Sequence, residues 1–480
     1  MALKILFAAS EAAPFAQTGG LGEVLGSLPL ALAGVGCDVR VLLPGYRTIK
    51  TQHATTSVGA ALNVPGYPEH LRVLRIEGTV DPAVWLVDAP RFFDRDGDLY
   101  STANGQDWPD NPERFACFSH VVTTLAVHGM PDGWRPDVVH VHDWQTALVP
   151  LLLASHTPRP RTVFTIHNLA YRGLCDFATF TRLHLPPAAW DFEALEFHGQ
   201  AALIKGGLVY ADRLTTVSPG YAREIQTLAF GCGLDGLLRR RANVLTGIMN
   251  GIDLQVWDPA HDSAVVATYD ISRVGAKAAN KRHLQQRFRL PLDPTQFLLG
   301  IVTRLAEQKG VDLILEALPA LTRLPLQFLF LGNGDPALER RIIEAAQAYP
   351  QHVQYHIGFD VALSHQMFAG LDAFMMPSRF EPCGLAQLYS LRYGTVPIVH
   401  RTGGLADSVI DPAVNAARAT GFVFDDATSS ALIAATHRAL EVFHDPARWQ
   451  RLQRNGMTED NSWRRSAAAY RQIYQSLVTT

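Results

Sequence analysis

The sequence MPSRFEPCGLAQLYSLRYGTVPIVHRTGGLAD, residues 376–407, follows an apolar run and predicts where the chain places its polar chemistry. The run Ala373–Met376 predicts a short buried strand, and a loop containing Glu381 then leads into a Leu-rich helix. In open parallel sheets, ligands lie at the carboxyl ends of the strands, so Glu381 is well placed to contact a polar ligand. The alternative is a structural glutamate that the helix dipole favours near a helix N-terminus.

The second half of this stretch repeats the arrangement. The run Val396–Val399 predicts another short strand, and Thr402, Gly403 and Gly404 follow it near the start of a further helix. Glycine leaves the backbone N–H groups unshielded, and a helix N-terminus favours negative charge. This turn therefore predicts an anion site.

Length and composition favour a globular protein of two domains. A chain of 480 residues exceeds what one hydrophobic core normally supports. Its 48% hydrophobic and 18% charged residues are ordinary for globular proteins. The formal net charge is −3, which gives no reason to expect nucleic acid or an anionic membrane as a partner.

The N-terminus and the cysteines favour a cytoplasmic protein. In MALKILFAASEAAPF an acidic residue and a proline stand where a signal peptide needs its cleavage region, so this segment predicts a first strand. No apolar run has the length of a membrane span. Five scattered cysteines suit a reducing compartment, and the 18 histidines show no clear metal-ligand spacing.

A glycine turn follows the first predicted strand, Leu3–Ala8. The segment AQTGGLGEVLGSLPLALAGVG predicts a turn and then a helix of small residues that ends near Gly34. Its glycine spacing does not fit the dinucleotide fingerprint G-x-G-x-x-G. It is typical of a nucleotide-binding turn, and the alternative is a turn that only packs a helix against a strand.

Two further predicted strands end in polar pairs. Val138–Val141 is followed by His142-Asp143-Trp144, and Thr162–Ile166 is followed by His167-Asn168. Capping of a following helix explains either pair alone. Two such pairs at the carboxyl edge of one sheet favour a ligand site.

The remaining segments complete two alternating series of strands and helices. Gln52–Asp110 is expected to be largely irregular apart from strands at Leu71–Ile76 and Ala83–Val87, and Asn250-Gly251 begins a linker. The second series has predicted strands at Phe297–Val302, Gln327–Leu331 and Val353–Ile357 before the two described above. Alternation on both sides of the linker predicts an α/β protein with two doubly wound, Rossmann-like domains facing across a cleft. Trp463–Leu477 predicts a terminal helix.

The order of the motifs resembles the family of bacterial glycogen synthases and plant starch synthases. The likeness runs from the first strand to SWRRSAAAY, and the motifs that carry it are QTGGLGEV, HDW, TIHNLAYRG, VSPGYA, MNGID, RLAEQKG, LGNGDP, HIGFD, PSRFEPCGLAQLYSLRYGT and RTGGLAD. A resemblance along the whole chain is far more specific than any single glycine turn.

This resemblance implies a retaining glycosyltransferase of the GT-B architecture. Such enzymes transfer glucose from ADP-glucose to the non-reducing end of an α-1,4-glucan (glycogen) without a metal or another cofactor. It also implies three segments: residues 1–248 on the glucan side, residues 249–460 binding the nucleotide sugar, and residues 461–480 as a helix that crosses back to the first domain.

The resemblance also assigns site residues. Arg304 and Lys309 match the pair that neutralises the donor diphosphate, and Glu381 matches the acid beside the transferred glucose. His167 and Asp143 match residues on the sugar and acceptor side. Positions expected to bind substrate are Gln17, Gly19, Gly20, Glu23, Asn250, Cys383, Gly384, Leu385, Thr402, Gly403 and Gly404.

Each of these assignments has a plainer structural alternative. Arg304 and Lys309 are of residue types that are mostly solvated at protein surfaces, although the strand-end position of Arg304 favours a site. Cysteine is more often a small buried hydrophobe than a nucleophile, and we keep that interpretation for Cys383.

Two positions depart from the family pattern. Gln17 stands where the family signature has Lys, and Glu23 stands where it commonly has Asp. A UDP-glucose-dependent enzyme of the same architecture and a weakly active glucan-binding paralogue therefore stay open as alternatives.

Overall fold

The computed structural model describes residues 2–102 and 104–479, with the backbone alone for residues 68–70. The chain forms two compact units, of which the first contains the residues up to Gly251 together with those from Trp463 onward. The second unit is Ile252–Ser462. Each unit is an α/β structure built on a mainly parallel sheet.

The strands are short and mostly apolar, as expected for parallel sheets covered on both faces. In chain order they are β1 Lys4–Ala8, β2 Asp38–Pro44, β3 Thr55–Val64, β4 Tyr67–Ile76, β5 Ala83–Asp88, β6 Val138–His142, β7 Arg161–Ile166, β8 Leu174–Cys175, β9 Glu196–Phe197, β10 Gln200–Ala202, β11 Arg213–Thr216, β12 Leu245–Gly247, β13 Phe297–Val302, β14 Leu326–Gly332, β15 Val353–Ile357, β16 Ala373–Met376, β17 Val396–His400 and β18 Phe422–Phe424.

The α-helices connect these strands and close the chain. They are α1 Gly20–Gly34, α2 Arg47–Gln52, α3 Pro90–Phe93, α4 Asn111–His128, α5 Asp143–Thr146, α6 Leu148–Leu153, α7 Phe177–Phe180, α8 Ile204–Tyr210, α9 Pro219–Glu224, α10 Asp235–Arg240, α11 Lys277–Arg287, α12 Val311–Leu321, α13 Pro336–Ala348, α14 Val361–Gly370, α15 Ala386–Arg392, α16 Gly403–Ser408, α17 Ser429–Phe443, α18 Pro446–Thr458 and α19 Trp463–Val478. Short 3₁₀ helices are Pro187–Ala189, Ala242–Val244, Ile271–Ala276 and Glu307–Lys309. Across the two described stretches, 2–102 and 104–479, the helices lack the combination of length and apolar content that crossing a bilayer requires.

The sheet of the first unit has the order β12-β11-β7-β6-β1-β2-β5-β4-β3. Strand β1 lies between β2 and β6 and pairs in parallel with both. The chain leaves β1 toward one side of the sheet and later returns to its other side at β6. Ligands of doubly wound sheets bind at such a reversal, outside the carboxyl ends of the strands.

The prediction of an irregular segment from Gln52 to Asp110 is wrong for its first part. Strands β3 and β4 pair antiparallel around Gly66, whose φ is +85°, and β4 pairs antiparallel with β5. They extend the first sheet at one edge. Most residues of β3 are exposed or half-buried, so its sequence carries little apolar alternation, and pairing with β4 decides its structure.

The sheet of the second unit is parallel and has the order β15-β14-β13-β16-β17-β18. The predicted strands Phe297–Val302, Val353–Ile357 and Ala373–Met376 are confirmed residue for residue. Its reversal lies between β13 and β16, because β14 and β15 follow β13 on one side and β16, β17 and β18 lie on the other. The loops after β13, β16 and β17 carry the residues predicted for the donor.

Helix α19 packs within the first unit. Tyr470 and Tyr474 are buried, and the Tyr474 hydroxyl lies 2.7 Å from Nδ1 of His140. Ser466 also donates to the main-chain oxygen of Met249 at 2.5 Å. The terminal helix is thus part of the core beneath strand β6.

Candidate active site

In the second unit, the loops after β13 and β16 bring Lys309 and Glu381 into contact. Lys309 ends the 3₁₀ turn Glu307–Lys309, and its Nζ lies 2.7 Å from Oε2 of Glu381. The Glu381 side chain is 8% exposed and that of Lys309 is 20% exposed. Arg304, two residues beyond the end of β13, is exposed. Sequence analysis predicted these three residues for one site, and the Lys309–Glu381 contact joins two of them.

Glu381 also has a partner that sequence analysis missed. Ser378 Oγ donates to Oε2 of Glu381 at 2.9 Å, so this oxygen accepts from both an ammonium and a hydroxyl group. The position of Ser378, two residues after the end of strand β16, was the available signal, because it lies at the strand's carboxyl end together with Glu381. The carboxylate is thereby held in one orientation at the sheet edge.

The loop Cys383–Leu385 is ordered by a buried glutamine. Gln387 Nε2 donates to the main-chain oxygens of Cys383 and Gly384, each at 2.9 Å. Gly384 has a φ of +69°, which glycine adopts without strain. Cys383 is 5% exposed, in agreement with a small buried side chain, and Leu385 is the N-cap of α15.

The turn Thr402–Gly404 packs against the loop that carries Glu381. Gly404 N–H donates to the main-chain oxygen of Glu381 at 3.1 Å. A Cβ added to Gly403 would lie 2.1 Å from that same oxygen, and one added to Gly404 would lie 2.1 Å from the Cys383 main-chain oxygen. The second glycine turn and the Glu381 loop therefore form one tightly packed structure, in which the Gly404 amide is already engaged.

In the first unit, the glycine turn after β1 is bound to a buried carboxylate. Glu11 is 3% exposed, and its Oε2 accepts from the N–H groups of Thr18 at 2.7 Å and Gly19 at 3.2 Å. Its Oε1 accepts from the Thr18 hydroxyl at 2.8 Å and the Tyr100 hydroxyl at 2.6 Å. Sequence analysis did not single out Glu11, although its position just beyond β1 follows the same rule as that of Asp143 beyond β6.

The other residues predicted around this turn lie at the start of α1. Gln17 is exposed, and its aliphatic stem covers Gly22, because a Cβ on Gly22 would lie 2.8 Å from Gln17 Cγ. Gly19 is the N-cap, Gly20 is the first helical residue, and Glu23 is half-buried in the first turn. A Cβ on Gly19 would meet no described atom of residues 2–102 or 104–479 within 4 Å. The outer face of the turn is therefore open.

Asp143 and His167 lie together at the ends of the neighbouring strands β6 and β7. Asp143 adopts a φ of +53°, which is uncommon for a residue with a side chain. Its Oδ1 accepts from His167 N–H at 2.7 Å, so its carboxylate orients the next loop instead of capping its own helix. Burial raises the pKa of Asp143 to about 7, with Glu11 adding a smaller repulsive contribution.

His167 forms a pair with the fully buried His142. Nε2 of His167 lies 3.0 Å from Nδ1 of His142, so a single proton serves both nitrogens and the two tautomers are linked. Burial lowers the pKa of His167 to about 3 and holds the pKa of His142 well below its usual range. Both rings are neutral near pH 7, and His167 offers hydrogen bonds without a charge.

Asn250 follows β12 at the end of the first unit's main segment. The residue is 7% exposed, and its Oδ1 is buried without a hydrogen-bond partner among the residues that the structure describes. An unsatisfied buried acceptor is costly unless a donor reaches it, and the contact of Asn250 with a substrate stays a prediction.

Comparison with known proteins identifies the family. Residues 4–240 match the family described as the starch synthase catalytic domain, and residues 283–456 match glycosyl transferases group 1. A glycogen synthase of Thioalkalivibrio sulfidiphilus is 50% identical over 99% of this chain and 100% of its own length. Glycogen synthase 1 of Methylococcus capsulatus is 50% identical over 99% of this chain and 97% of its own.

Solved structures give the same result. The catalytic domain of starch synthase IV from Arabidopsis thaliana, bound to ADP and acarbose, superposes with a TM-score of 0.90 at 31% identity and covers 100% of both chains. A sucrose-phosphate synthase from Thermosynechococcus elongatus shares the fold, with a TM-score of 0.62 at 19% identity and 99% of each chain covered. The chain belongs to the family of bacterial glycogen synthases and plant starch synthases and has the GT-B architecture.

Proposed function

We propose that this protein is a retaining glucosyltransferase that transfers glucose from ADP-glucose to the non-reducing end of an α-1,4-glucan. The observation that carries the proposal is the contact of Lys309 with Glu381 at the carboxyl edge of the second sheet. Relatives named glycogen synthase that match along the whole chain, and the ADP and acarbose bound to starch synthase IV, support the choice of donor and acceptor.

Two cations at this edge suit the leaving diphosphate. Arg304 is exposed at the end of β13, and Lys309 holds its ammonium group beside a carboxylate. Bonds from Arg or Lys to phosphate are charge-assisted and are stronger than bonds between neutral groups. We assign both residues to stabilising the charge that develops on ADP as it leaves.

Glu381 is assigned to the glucosyl group. Its Oε2 already accepts from Lys309 and Ser378, and this double donation reduces the nucleophilicity of that oxygen. A double displacement needs a nucleophilic carboxylate at the anomeric carbon. The hydrogen bonding therefore favours Glu381 as an acceptor of sugar hydroxyl groups over Glu381 as a nucleophile.

Retention then follows from reaction on the front face of the sugar. The bond between the anomeric carbon and the donor phosphate oxygen breaks, and the acceptor hydroxyl oxygen forms the new bond on the same face. The departing phosphate takes the hydroxyl proton. Arg304 and Lys309 stabilise the phosphate charge through this step.

The first unit supplies neutral and acidic groups for sugar recognition. His167 is uncharged near pH 7 and is held by His142, and Asp143 fixes the main chain of the His167 loop. Neutral imidazole and amide groups suit hydroxyl groups, which both donate and accept hydrogen bonds. We assign His167, Asp143 and Asn250 to the sugar and acceptor side. Residence in the cytoplasm stays a prediction from the cysteine content.

A donor panel with one acceptor tests the proposal. Purified protein is incubated with glycogen and either ADP-glucose or UDP-glucose, while nucleoside diphosphate release and chain growth are measured and NMR reports the anomeric configuration. ADP release with growth of α-1,4 chains is the expected result. Growth with UDP-glucose alone would show that the donor is wrong, and glucan binding without turnover of either donor would reject an enzymatic role.

A further inference from the structure

The turn that carries Lys309 and the loop that carries Glu381 lie side by side in the second unit. The main-chain N–H of Arg379 donates to the main-chain oxygen of Gln308 at 2.8 Å. Gln308 Nε2 in turn donates to the main-chain oxygen of Phe380 at 3.1 Å. These two bonds join the segment 307–310 to the segment 377–381.

Gly310 makes this approach possible. Its φ is +65°, and a Cβ at this position would lie 2.1 Å from the main-chain oxygen of Pro377. The two backbones therefore touch at the end of the Lys309 turn, where helix α12 begins. Main-chain contact at this point leaves little freedom for sliding of one segment along the other.

A bidentate ion pair between Arg379 and Asp312 also joins the two segments. Arg379 Nη1 lies 2.8 Å from Oδ1 of Asp312, and Nη2 lies 2.6 Å from Oδ2. Arg379 Nη1 also donates to the main-chain oxygen of Glu307 at 2.7 Å. One guanidinium group thus binds the start of the Lys309 turn and the first turn of α12. A planar guanidinium fixes direction as well as distance when both of its arms are used.

We propose that Arg379 and Asp312 are a positioning pair, which sets the distance and orientation between the Lys309 ammonium and the Glu381 carboxylate. The inference rests on the proposed function, in which Lys309 faces the diphosphate and Glu381 faces the sugar. Neither Arg379 nor Asp312 is assigned to contact with the substrate. They act through the two loops, whose relative placement determines whether phosphate and sugar groups are held at once.

The rate should respond more strongly to this pair than substrate binding does. A misplacement of about 1 Å at reacting groups can cost on the order of 100-fold in rate. Nucleotide binding tolerates such a shift better, because a flexible lysine side chain still reaches a phosphate. Loss of the pair therefore predicts a fall in kcat with a small change in the KM for the donor.

Three variants test the pair. Arg379→Lys keeps the charge and removes the fork, Asp312→Asn keeps the shape and removes the charge, and the double variant completes a thermodynamic cycle. Arg287→Lys is the matched control, because Arg287 pairs with Asp360 at 3.3 Å in the same unit with a similar exposed fraction of its side chain. Each protein is assayed for kcat and KM with ADP-glucose and glycogen, for ADP affinity by calorimetry, and for its melting temperature.

We expect kcat to fall about 10- to 100-fold in both single variants, with ADP affinity changed less than about threefold. The double variant should be little worse than either single variant, and Arg287→Lys should behave like the parent protein. Unchanged kcat in Arg379→Lys and Asp312→Asn would overturn the proposal. So would a fall in kcat that only follows a loss of melting temperature or of ADP binding. Failure of the proposed function itself is distinguishable, because the parent protein would then transfer no glucose from ADP-glucose.

Discussion

The two glycine turns of this protein look alike in sequence and differ in what they bind. In the first unit, the N–H groups of Thr18 and Gly19 donate to the buried carboxylate of Glu11. In the second unit, Gly404 N–H donates to the main-chain oxygen of Glu381, and the Glu381 carboxylate forms an ion pair with Lys309. A full negative charge thus lies beneath the first turn, whereas the second turn stands beside a compensated ion pair.

The reason for glycine also differs between the two turns. A Cβ on Gly403 or Gly404 would lie 2.1 Å from a main-chain oxygen, so the protein's own packing excludes a side chain there. Gly19 has an extended backbone with a φ of −161°, and a Cβ on it would meet no atom of the described residues within 4 Å. Gly403 and Gly404 in the second turn are required by the fold, whereas Gly19 in the first turn leaves space that a ligand can use.

The largest expected effect concerns the carboxylate of Glu381, the residue whose main-chain oxygen accepts from the second turn. Glu381→Gln should lower kcat by about 100- to 1000-fold, because the change removes an oriented charge beside the reacting sugar. ADP affinity, measured by calorimetry, should change much less, since the proposed partner of Glu381 is the sugar. Loss of ADP binding in parallel with turnover would place Glu381 on the diphosphate instead.

A pair of glycine substitutions tests the reasons for glycine. Gly404→Ala should destabilise the second unit by about 2 kcal/mol or more, because the new methyl group overlaps the Cys383 main chain. Gly19→Ala should leave the melting temperature nearly unchanged and raise the KM for ADP-glucose if the diphosphate approaches this turn. Equal melting temperatures for both variants would contradict the packing argument, and an unchanged KM in Gly19→Ala would remove the donor from the first turn.

The sequence predicted the sheets better than the contacts at their edges. Strands such as Phe297–Val302 and Ala373–Met376 are continuous apolar runs, and burial on both faces leaves them no alternative structure. The prediction failed for Thr55–Val64, whose exposed residues gain their structure from pairing with the neighbouring strand. The local sequence pattern of residues 55–64 does not show that β4 will pair with this segment.

The same limit explains what was missed at the site. Glu381 and Lys309 could be named from strand ends and from the family resemblance, but their 2.7 Å contact joins residues 72 positions apart. For Glu11, the rule that a carboxylate after a strand predicts a ligand site would have given the wrong partner, because this carboxylate binds the protein's own amides. The partner of a carboxylate at a strand end is decided by segments that are distant in sequence and come close only in the folded protein.

A pH dependence of stability is expected from Asp143, the buried carboxylate after β6 in the first unit. The pKa of Asp143 rises from 3.8 to about 7 in the fold, so the native state holds the proton more tightly than the unfolded state. The stability that this proton contributes is present below about pH 4, falls as the pH rises toward 7 and is absent above it. Asp143→Asn should therefore be more stable than the parent by up to about 4 kcal/mol at pH 8, with a smaller difference at pH 5. Denaturant unfolding at both pH values measures the difference, and equal differences would show that Asp143 does not titrate as described.

Glu11→Gln tests whether the charge under the first turn is structural. The side-chain oxygen of Gln can still accept from the two N–H groups of the turn, and its NH₂ group can donate to the hydroxyl oxygens of Thr18 and Tyr100, so the substitution removes the charge and replaces charge-assisted hydrogen bonds with neutral ones. We expect a loss of about 1–3 kcal/mol in unfolding free energy. Tyr100→Phe is the matched control, because it removes one donor from Glu11 without touching the turn. A larger loss in Tyr100→Phe than in Glu11→Gln would mean that the turn does not depend on this carboxylate.

The smallest expected effect concerns Gln17, which stands in the first turn where the family signature has Lys. Gln17 is exposed and offers a neutral amide, whereas Lys would offer a full positive charge on a flexible stem. Hydrogen bonds to charged groups contribute about 1.5–3 kcal/mol against about 1 for neutral ones, so Gln17→Lys should improve kcat/KM for ADP-glucose by up to about tenfold, mainly through KM. The gain should shrink as salt rises, because it is Coulombic. The carboxylate of Glu11 beneath the turn repels an approaching diphosphate. A lysine at position 17 would reduce this repulsion, which adds to the expected gain in donor affinity. Steady-state kinetics at two ionic strengths, with UDP-glucose in parallel, measure the effect. An unchanged KM at low salt would show that position 17 does not reach the donor, and a gain with UDP-glucose alone would show that the natural donor is not ADP-glucose.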